Sequence, residues 1–451
     1  MQETSVKDIT RQVADYVLTT TLDDIPDDVR KEARRALLNY VGCALGGSRH
    51  PAMDITIAAL GPYAGKSTAA VLGRGEQFDP LLASLLNGIS SHVHDYDDTT
   101  PGNYIHPTSP VASALFAYAS ANAVSGKELE LAFILGFEAV SRIGNATYPA
   151  HYDAGWHSTG SVGVFGAAIA IGKLLGLSQQ QMIWAIGLGA TQSAGLREMF
   201  GSMAKSFHPG RSAQSGYMAA LLAQGGFTAG SHSIEGPRGF AAVQSANYDL
   251  SVITKGLGAD FELRVNTYKP FPCGIVTHPT IDACIQLHRQ YQIDPARIAA
   301  VRLRVAPLVK DLCDKKHIST GLEGKFSAYH AAAIGLVRGK AGLAEFTDEA
   351  VNDPAVSSVR AKTESIGDKS VSEDGVRVEV ELTDGQKFNK DLEHSLGNLK
   401  QPLSDSQLEQ KFRDQATALP GRQIEDLIAS CWRIEELGDV RELIALAVPK
   451  G

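Results

Sequence analysis

Apolar positions recur at helical spacing over the first 260 residues. Ile9, Val13 and Val17 fall four apart within a run from Val6 to Leu18 and define one helix face. Asp27 and Asp28 give a negatively charged first turn to a second run that ends at Gly46-Gly47, where glycine suits a helix C-terminus. Further helical runs are expected over Pro80–His94, Pro110–Val124, Lys127–Arg142, Ser158–Leu175, Ser178–Leu196 and Ser212–Ala223. Small residues fill their interiors, which suits helices that approach one another closely.

The period changes after Phe261. Val301, Leu303 and Val305 alternate with Arg302 and Arg304, and Val376, Val378, Val380 and Leu382 alternate with charged residues. Both read as strands with one buried face. Asp384-Gly385 before Phe388 predicts a hairpin with a type I′ turn. A helical stretch from Lys325 to Val337 lies between the strands, and helical spacing returns after Pro402-Leu403-Ser404-Asp405. The expected fold is mainly α. A large helical domain (1–262 plus 397–451) carries an inserted, smaller α+β domain (263–396).

Composition narrows the function. The 451 residues carry 42 Lys+Arg against 50 Asp+Glu, a net charge of −8, which argues against a nucleic-acid partner. No apolar run reaches the roughly 20 residues that span a bilayer. The opening MQETSVKDIT has no apolar h-region, so a cytoplasmic location is expected, with a mitochondrial or peroxisomal matrix as the alternative. Five cysteines without a C-x-x-C pair speak against a disulfide framework or a Cys-rich zinc site. Phosphate motifs are defective: Gly61 to Ser67 is one residue short of a P-loop, and Gly187-Leu188-Gly189 lacks a third glycine.

Four polar clusters remain. Ser91 to Thr100 holds His92, His94, Asp95, Asp97 and Asp98, with His106 just beyond. His92-x-His94 is compatible with part of a metal site; the preferred reading is metal-free, an aspartate orienting a histidine that moves protons. Gly155 to Gly160 places His157 before a helix. Met203 to Ser212 adds Lys205, His208 and Arg211, and Lys269 to Gly274 adds Lys269 and Cys273 at the domain junction. Together they supply cations, helix-terminal amides and imidazoles, the ingredients of a pocket for a small polyanion.

The motifs His94-Asp95-Tyr96-Asp97-Asp98-Thr99, His106-Pro107, Gly155-Trp156-His157-Ser158, Lys205-Ser206-Phe207-His208-Pro209-Gly210, Lys269-Pro270-Phe271-Pro272-Cys273 and Gly324-Lys325-Phe326-Ser327, in this order, resemble the MmgE/PrpD family of dehydratases, decarboxylases and epimerases. The resemblance covers nearly the whole chain. It implies a homodimeric enzyme that needs no cofactor and no metal, with an α+β lid over a helical domain. Its substrate would be a small di- or tricarboxylic acid such as methylcitrate or cis-aconitate. The reaction implied is a lyase reaction begun by proton transfer at a carbon α to a carboxylate. The alternatives are epimerisation of an amino- or imino-dicarboxylate, and carboxylate binding without catalysis. Carried over by motif, the catalytic residues are Asp95, Thr99, His106, His157, Lys205 and Tyr329, with Lys269 binding substrate; the polar clusters add His208, Arg211 and Cys273 as substrate-binding candidates. Two positions depart from the decarboxylases: Gly274 stands where they carry a histidine, and one extra residue separates Thr99 from His106.

Overall fold

The computed structural model describes residues 8–449. The principal helices of the first part are α1 (Ile9–Thr19), α2 (Asp27–Gly47), α3 (Pro80–His92), α4 (Thr108–Ala121), α5 (Gly126–Thr147), α6 (Ser158–Leu174), α7 (Gln179–Ala190) and α8 (Met203–Gln224). Helix starts follow local chemistry. Asp79 accepts from the amides of Leu81 and Leu82 ahead of α3, and Ser125 with Glu128 forms a capping box on α5. The first residues of the expected Val6–Leu18 run, and the last two of the 397–451 segment, lie outside the described residues.

Helix bounds differ from expectation in places: α5 runs on to Thr147 rather than ending at Arg142. Helix α7 stops at Ala190 rather than Leu196, and Gly195, at a φ of 131°, lies in the irregular segment that follows. Helix α8 begins nine residues before the expected Ser212, with Pro209 inside it. Proline there has no N–H to return to the carbonyl of Lys205, yet packing keeps the segment helical. The packing is close: a Cβ on Gly88 of α3 would lie 2.3 Å from the Cα of Gly210 of α8. Bare glycine on both sides lets these two backbones cross in contact.

The later segment adds α9 (His278–Tyr291), β1 (Ile298–Val305), α10 (Ala328–Arg338), α11 (Pro354–Ala361), β2 (Thr363–Gly367), β3 (Val376–Leu382) and β4 (Lys387–Leu392). The strands lie in the order β2-β1-β3-β4; β1 runs parallel to β2 and antiparallel to β3, and β3 pairs antiparallel with β4. Val301, Leu303, Val305, Val376, Val378 and Val380 are buried, as the alternation required. The hairpin corrects the sequence reading. Among non-glycine residues Asp384 is not at positive φ, whereas Gly385 is at 85°, and the Gly385 amide bonds the Leu382 carbonyl at 2.9 Å. The loop is therefore a turn closed by a left-handed glycine, as in three-residue hairpins, not type I′.

The chain then returns to the first part. Helix α12 (Asp405–Gln415) lies on α2, where Phe412 meets Gly42 and Lys411 donates to Asn39 at 2.7 Å. One apolar core runs through the first helices and residues 403–447; a second gathers the sheet with α9 and α10. With 58% of the chain helical and one four-stranded sheet, the fold is mainly α. Among the described residues no helix is long and apolar enough to cross a membrane.

Candidate active site

The site forms where the end of α3, the start of α8 and residues 266–274 meet. Helix α3 ends at His92, and the backbone reverses through Asp95, which sits at φ 52°. Left-handed backbone is tolerated by aspartate better than by most residues. Thr99 and Thr267 then exchange backbone hydrogen bonds at 2.9 and 3.1 Å, aligning the Asp95 loop with the segment that carries Lys269. Tyr96 reinforces the pairing by donating to the carbonyl of Pro270 at 3.0 Å.

Asp95 is the centre. Its Oδ1 accepts from Lys205 Nζ at 2.7 Å and from Lys269 Nζ at 2.9 Å, and His106 Nε2 lies 3.7 Å away. All four side chains are buried. Burial pushes the Asp95 carboxyl up, but the two ammonium groups and His106 outweigh it and hold it well below the usual carboxylate range. Lys205 is lowered by burial, with Asp95 opposing. Lys269 also donates to the carbonyls of Asp95 and Cys273, both at 3.1 Å.

Each histidine has a defined partner. His106 Nδ1 is 2.8 Å from the carbonyl of Asp98 and 3.2 Å from Thr99 Oγ1. A carbonyl only accepts, so Nδ1 carries the proton and Nε2 is left as a base. Burial, with Lys269 and Lys205 nearby, holds His106 well below the ordinary imidazole range. His157 Nδ1 and His208 Nδ1 share one hydrogen bond at 2.8 Å, and burial keeps both imidazoles neutral, His208 at about 4. His92, Asp97 and Lys205 form a further chain: Asp97 to His92 Nδ1 at 2.8 Å, and His92 Nε2 to Lys205 Nζ at 2.9 Å. The imidazoles of His92, His106 and His157 converge closely enough to hold a metal ion. On His92, however, the ammonium of Lys205 holds the position a metal would take.

These groups open on a cavity of about 40 Å³. Asp95, Thr99, His106, His157, Lys205 and Lys269 make its polar side. Phe200, Leu312, Cys313 and Phe326 make an apolar side, Phe200 and Phe326 stacking at 5.4 Å. Gly274 also lines it; a Cβ there would lie 3.1 Å from Cys313 Sγ. A neighbouring cavity of about 300 Å³ shares Lys269, Tyr104, Ile275 and Val276 with it. Tyr104 stands on the rim between them, its hydroxyl bonded to Glu373.

Of the ten residues expected from sequence, six line the cavity. His208 stands one shell behind, against His157. Cys273 is buried beside Thr277, its thiol pushed up to about 12, and contributes its carbonyl to Lys269. Two lie elsewhere. Arg211 is exposed and bonds Gln214, because it falls on the outer face of α8, four residues from exposed Phe207. Tyr329 turns its hydroxyl to Asp314 at 2.6 Å and Lys310 at 3.2 Å; Phe326 of the same motif reaches the cavity instead. Sequence reading missed Tyr104, Phe200 and Lys325. Lys325 is buried, donates to the carbonyls of His94 and Pro272 at 2.9 and 2.6 Å, and is lowered by burial to about 7. Its place in the Gly324-Lys325-Phe326-Ser327 motif was the available signal.

A buried cluster of two ammonium groups, a shared carboxylate and an imidazole base, closed by an apolar wall, is equipped for acid–base catalysis. The chain belongs to the MmgE/PrpD family of enzymes: the MmgE/PrpD N-terminal domain matches residues 11–253 and the C-terminal domain residues 271–434. It is 28% identical to cis-aconitate decarboxylase of Aspergillus terreus, over 97% of this chain and 96% of that protein. Cis-aconitate decarboxylase of Mus musculus is 26% identical over 98% and 93%. The 2-methylcitrate dehydratase of Salmonella typhimurium is 24% identical over 99% of both chains.

Proposed function

We propose that this enzyme is a lyase of a small di- or tricarboxylic acid, working by proton transfer at a carbon α to a carboxylate without a cofactor. The observation that carries the reading is Asp95 Oδ1 held between Lys205 and Lys269, with the free Nε2 of His106 beside it. An anionic substrate approaching the two ammonium groups competes with Asp95 for their protons. His106 Nε2 takes the proton from carbon, and the negative charge that develops is met by donors already in place. The His157–His208 pair delivers or accepts a proton on the adjoining side, and Thr99 orients His106. In a dehydration the leaving hydroxyl takes a proton from the His157–His208 pair and departs as water; in a decarboxylation no proton is taken first, the carbon–carboxylate bond breaks to release CO₂, and the electron pair left on the substrate takes a proton from one of these histidines.

Residues 1–262 with 397–451 would form the base of the site and 263–396 its lid. The α8 face bearing exposed Met203, Phe207, Leu221 and Leu222 supports a homodimer. One observation favours epimerisation as a second reading. The rings of His106 and His157 lie 6.4 Å apart at 72°, an arrangement that could serve both faces of one carbon.

Proton NMR in D₂O against citrate, methylcitrate, cis-aconitate and aspartate-derived acids tests this. A new alkene or released CO₂ supports the lyase, and deuterium wash-in without a new product supports the epimerase. Turnover undiminished in Lys205→Ala or His106→Ala would remove the site assignment.

A further inference from the structure

His92 does not line the cavity, yet it is the best-connected imidazole in the cluster. Its Nδ1 lies 2.8 and 3.0 Å from the two oxygens of Asp97, and both residues are buried. An ionised carboxylate only accepts, so the proton sits on Nδ1 and Nε2 keeps its lone pair. That lone pair meets Lys205 Nζ at 2.9 Å. An ammonium has three protons. Asp95 takes one at 2.7 Å and His92 takes another, which leaves one N–H for an oxygen in the cavity that Lys205 lines.

The backbone holds this geometry in place. The Gly88–Gly210 crossing fixes α3 against α8 one turn from His92 and little more than one turn from Lys205. The His92 ring is also wedged between His106, at 4.6 Å edge-on, and His157, at 5.9 Å stacked. A flexible four-carbon lysine is thus restrained at its tip by two acceptors, His92 and Asp95, set three residues apart where α3 ends.

We propose that His92, set in its tautomer by Asp97, is a positioning residue that aims the third proton of Lys205 at the substrate. This rests on Lys205 contacting substrate, as put forward above. A histidine that merely filled space would act independently of Lys205; a positioning residue cannot.

The test is a double-mutant cycle on the intact enzyme with the substrate that the NMR screen identifies. His92→Asn keeps a donor for Asp97 but has no atom at the place of Nε2, whereas His92→Gln can extend a carbonyl to Lys205. Asn should lower kcat on the order of 10–100-fold with a smaller change in KM, the scale of one hydrogen bond to a charged group. Gln should recover part of that loss. In a Lys205→Ala background the Asn substitution should cost nothing further. An equal loss from His92→Asn in both backgrounds, or none in the wild type, overturns the proposal. Lys205→Ala retaining normal turnover would instead overturn the functional reading itself. Should His92→Asn fail to fold, ¹⁵N NMR of histidine-labelled wild type and Lys205→Met replaces it. A protonated Nδ1, with an Nε2 resonance that moves when Lys205 is lost, supports the relay. An unchanged Nε2 resonance, or a protonated Nε2, overturns it.

Discussion

Lys269 grips Asp95 at both ends, its ammonium lying 2.9 Å from Oδ1 and 3.1 Å from the backbone carbonyl of the same residue. Lys205 adds a second ammonium to the same Oδ1 at 2.7 Å. Two buried cations therefore depend on one carboxylate. Asp95→Asn keeps the shape and removes the charge, leaving the cations to repel each other. Loss of one partner from a buried ion pair costs about 3–5 kcal/mol. Thermal melts should show a clearly lowered midpoint, and turnover should fall at least about 100-fold.

Arg211→Ala and Tyr329→Phe should behave as bystanders. The Arg211 guanidinium is at the surface with Gln214, and the Tyr329 hydroxyl serves Asp314 and Lys310. Changes remote from a site shift free energies by about 0.5 kcal/mol, so steady-state kcat/KM should stay within roughly twofold. A tenfold loss in either variant would mean that its side chain reaches substrate during turnover.

Gly274 is a matter of space. Alanine there needs only a few tenths of an ångström from Cys313, whose Sγ would lie 3.1 Å from the new Cβ. Histidine must displace Cys313 and Phe326 together. Gly274→Ala should melt close to wild type, while Gly274→His should lose about 1–3 kcal/mol through overpacking. Combining Gly274→His with Cys313→Ala should restore part of that loss.

Asp98 gives a pH signature. Burial raises its carboxyl to about 7, with Asp97 adding to the rise and the bonds from Thr108 and Asn266 opposing it. Between the unfolded value of 3.8 and about 7, the folded protein holds a proton that the unfolded chain has lost. This stabilisation is present at low pH and disappears as pH rises through 7, by at most about 1.4 kcal/mol per unit. The midpoint of wild type minus that of Asp98→Asn should fall from pH 5 to about 7 and level off above it. A flat difference would refute the raised value.

Helical spacing and strand alternation made the architecture legible, because each element buries one face of the expected period. Boundaries failed where packing overrode pattern: α8 starts at Met203 rather than Ser212 and carries Pro209 inside it, and α7 stops at Ala190 rather than Leu196. For the site, motif residues beside Asp95 were legible because their chemistry is unusual for a helix end. Arg211 and Tyr329 lie away from the cavity, because sequence order gives position along the chain but not the face on which a side chain emerges. Tyr104 and Phe200 were missed because they reach the cavity only through tertiary packing.

The cavity beside Asp95, at about 40 Å³, is tight for a polycarboxylic acid. It does not stand alone: Tyr104, Lys269, Ile275 and Val276 also line the neighbouring cavity of about 300 Å³. Lys269 thus faces two rooms, and Tyr104, tied to Glu373, is the doorpost between them.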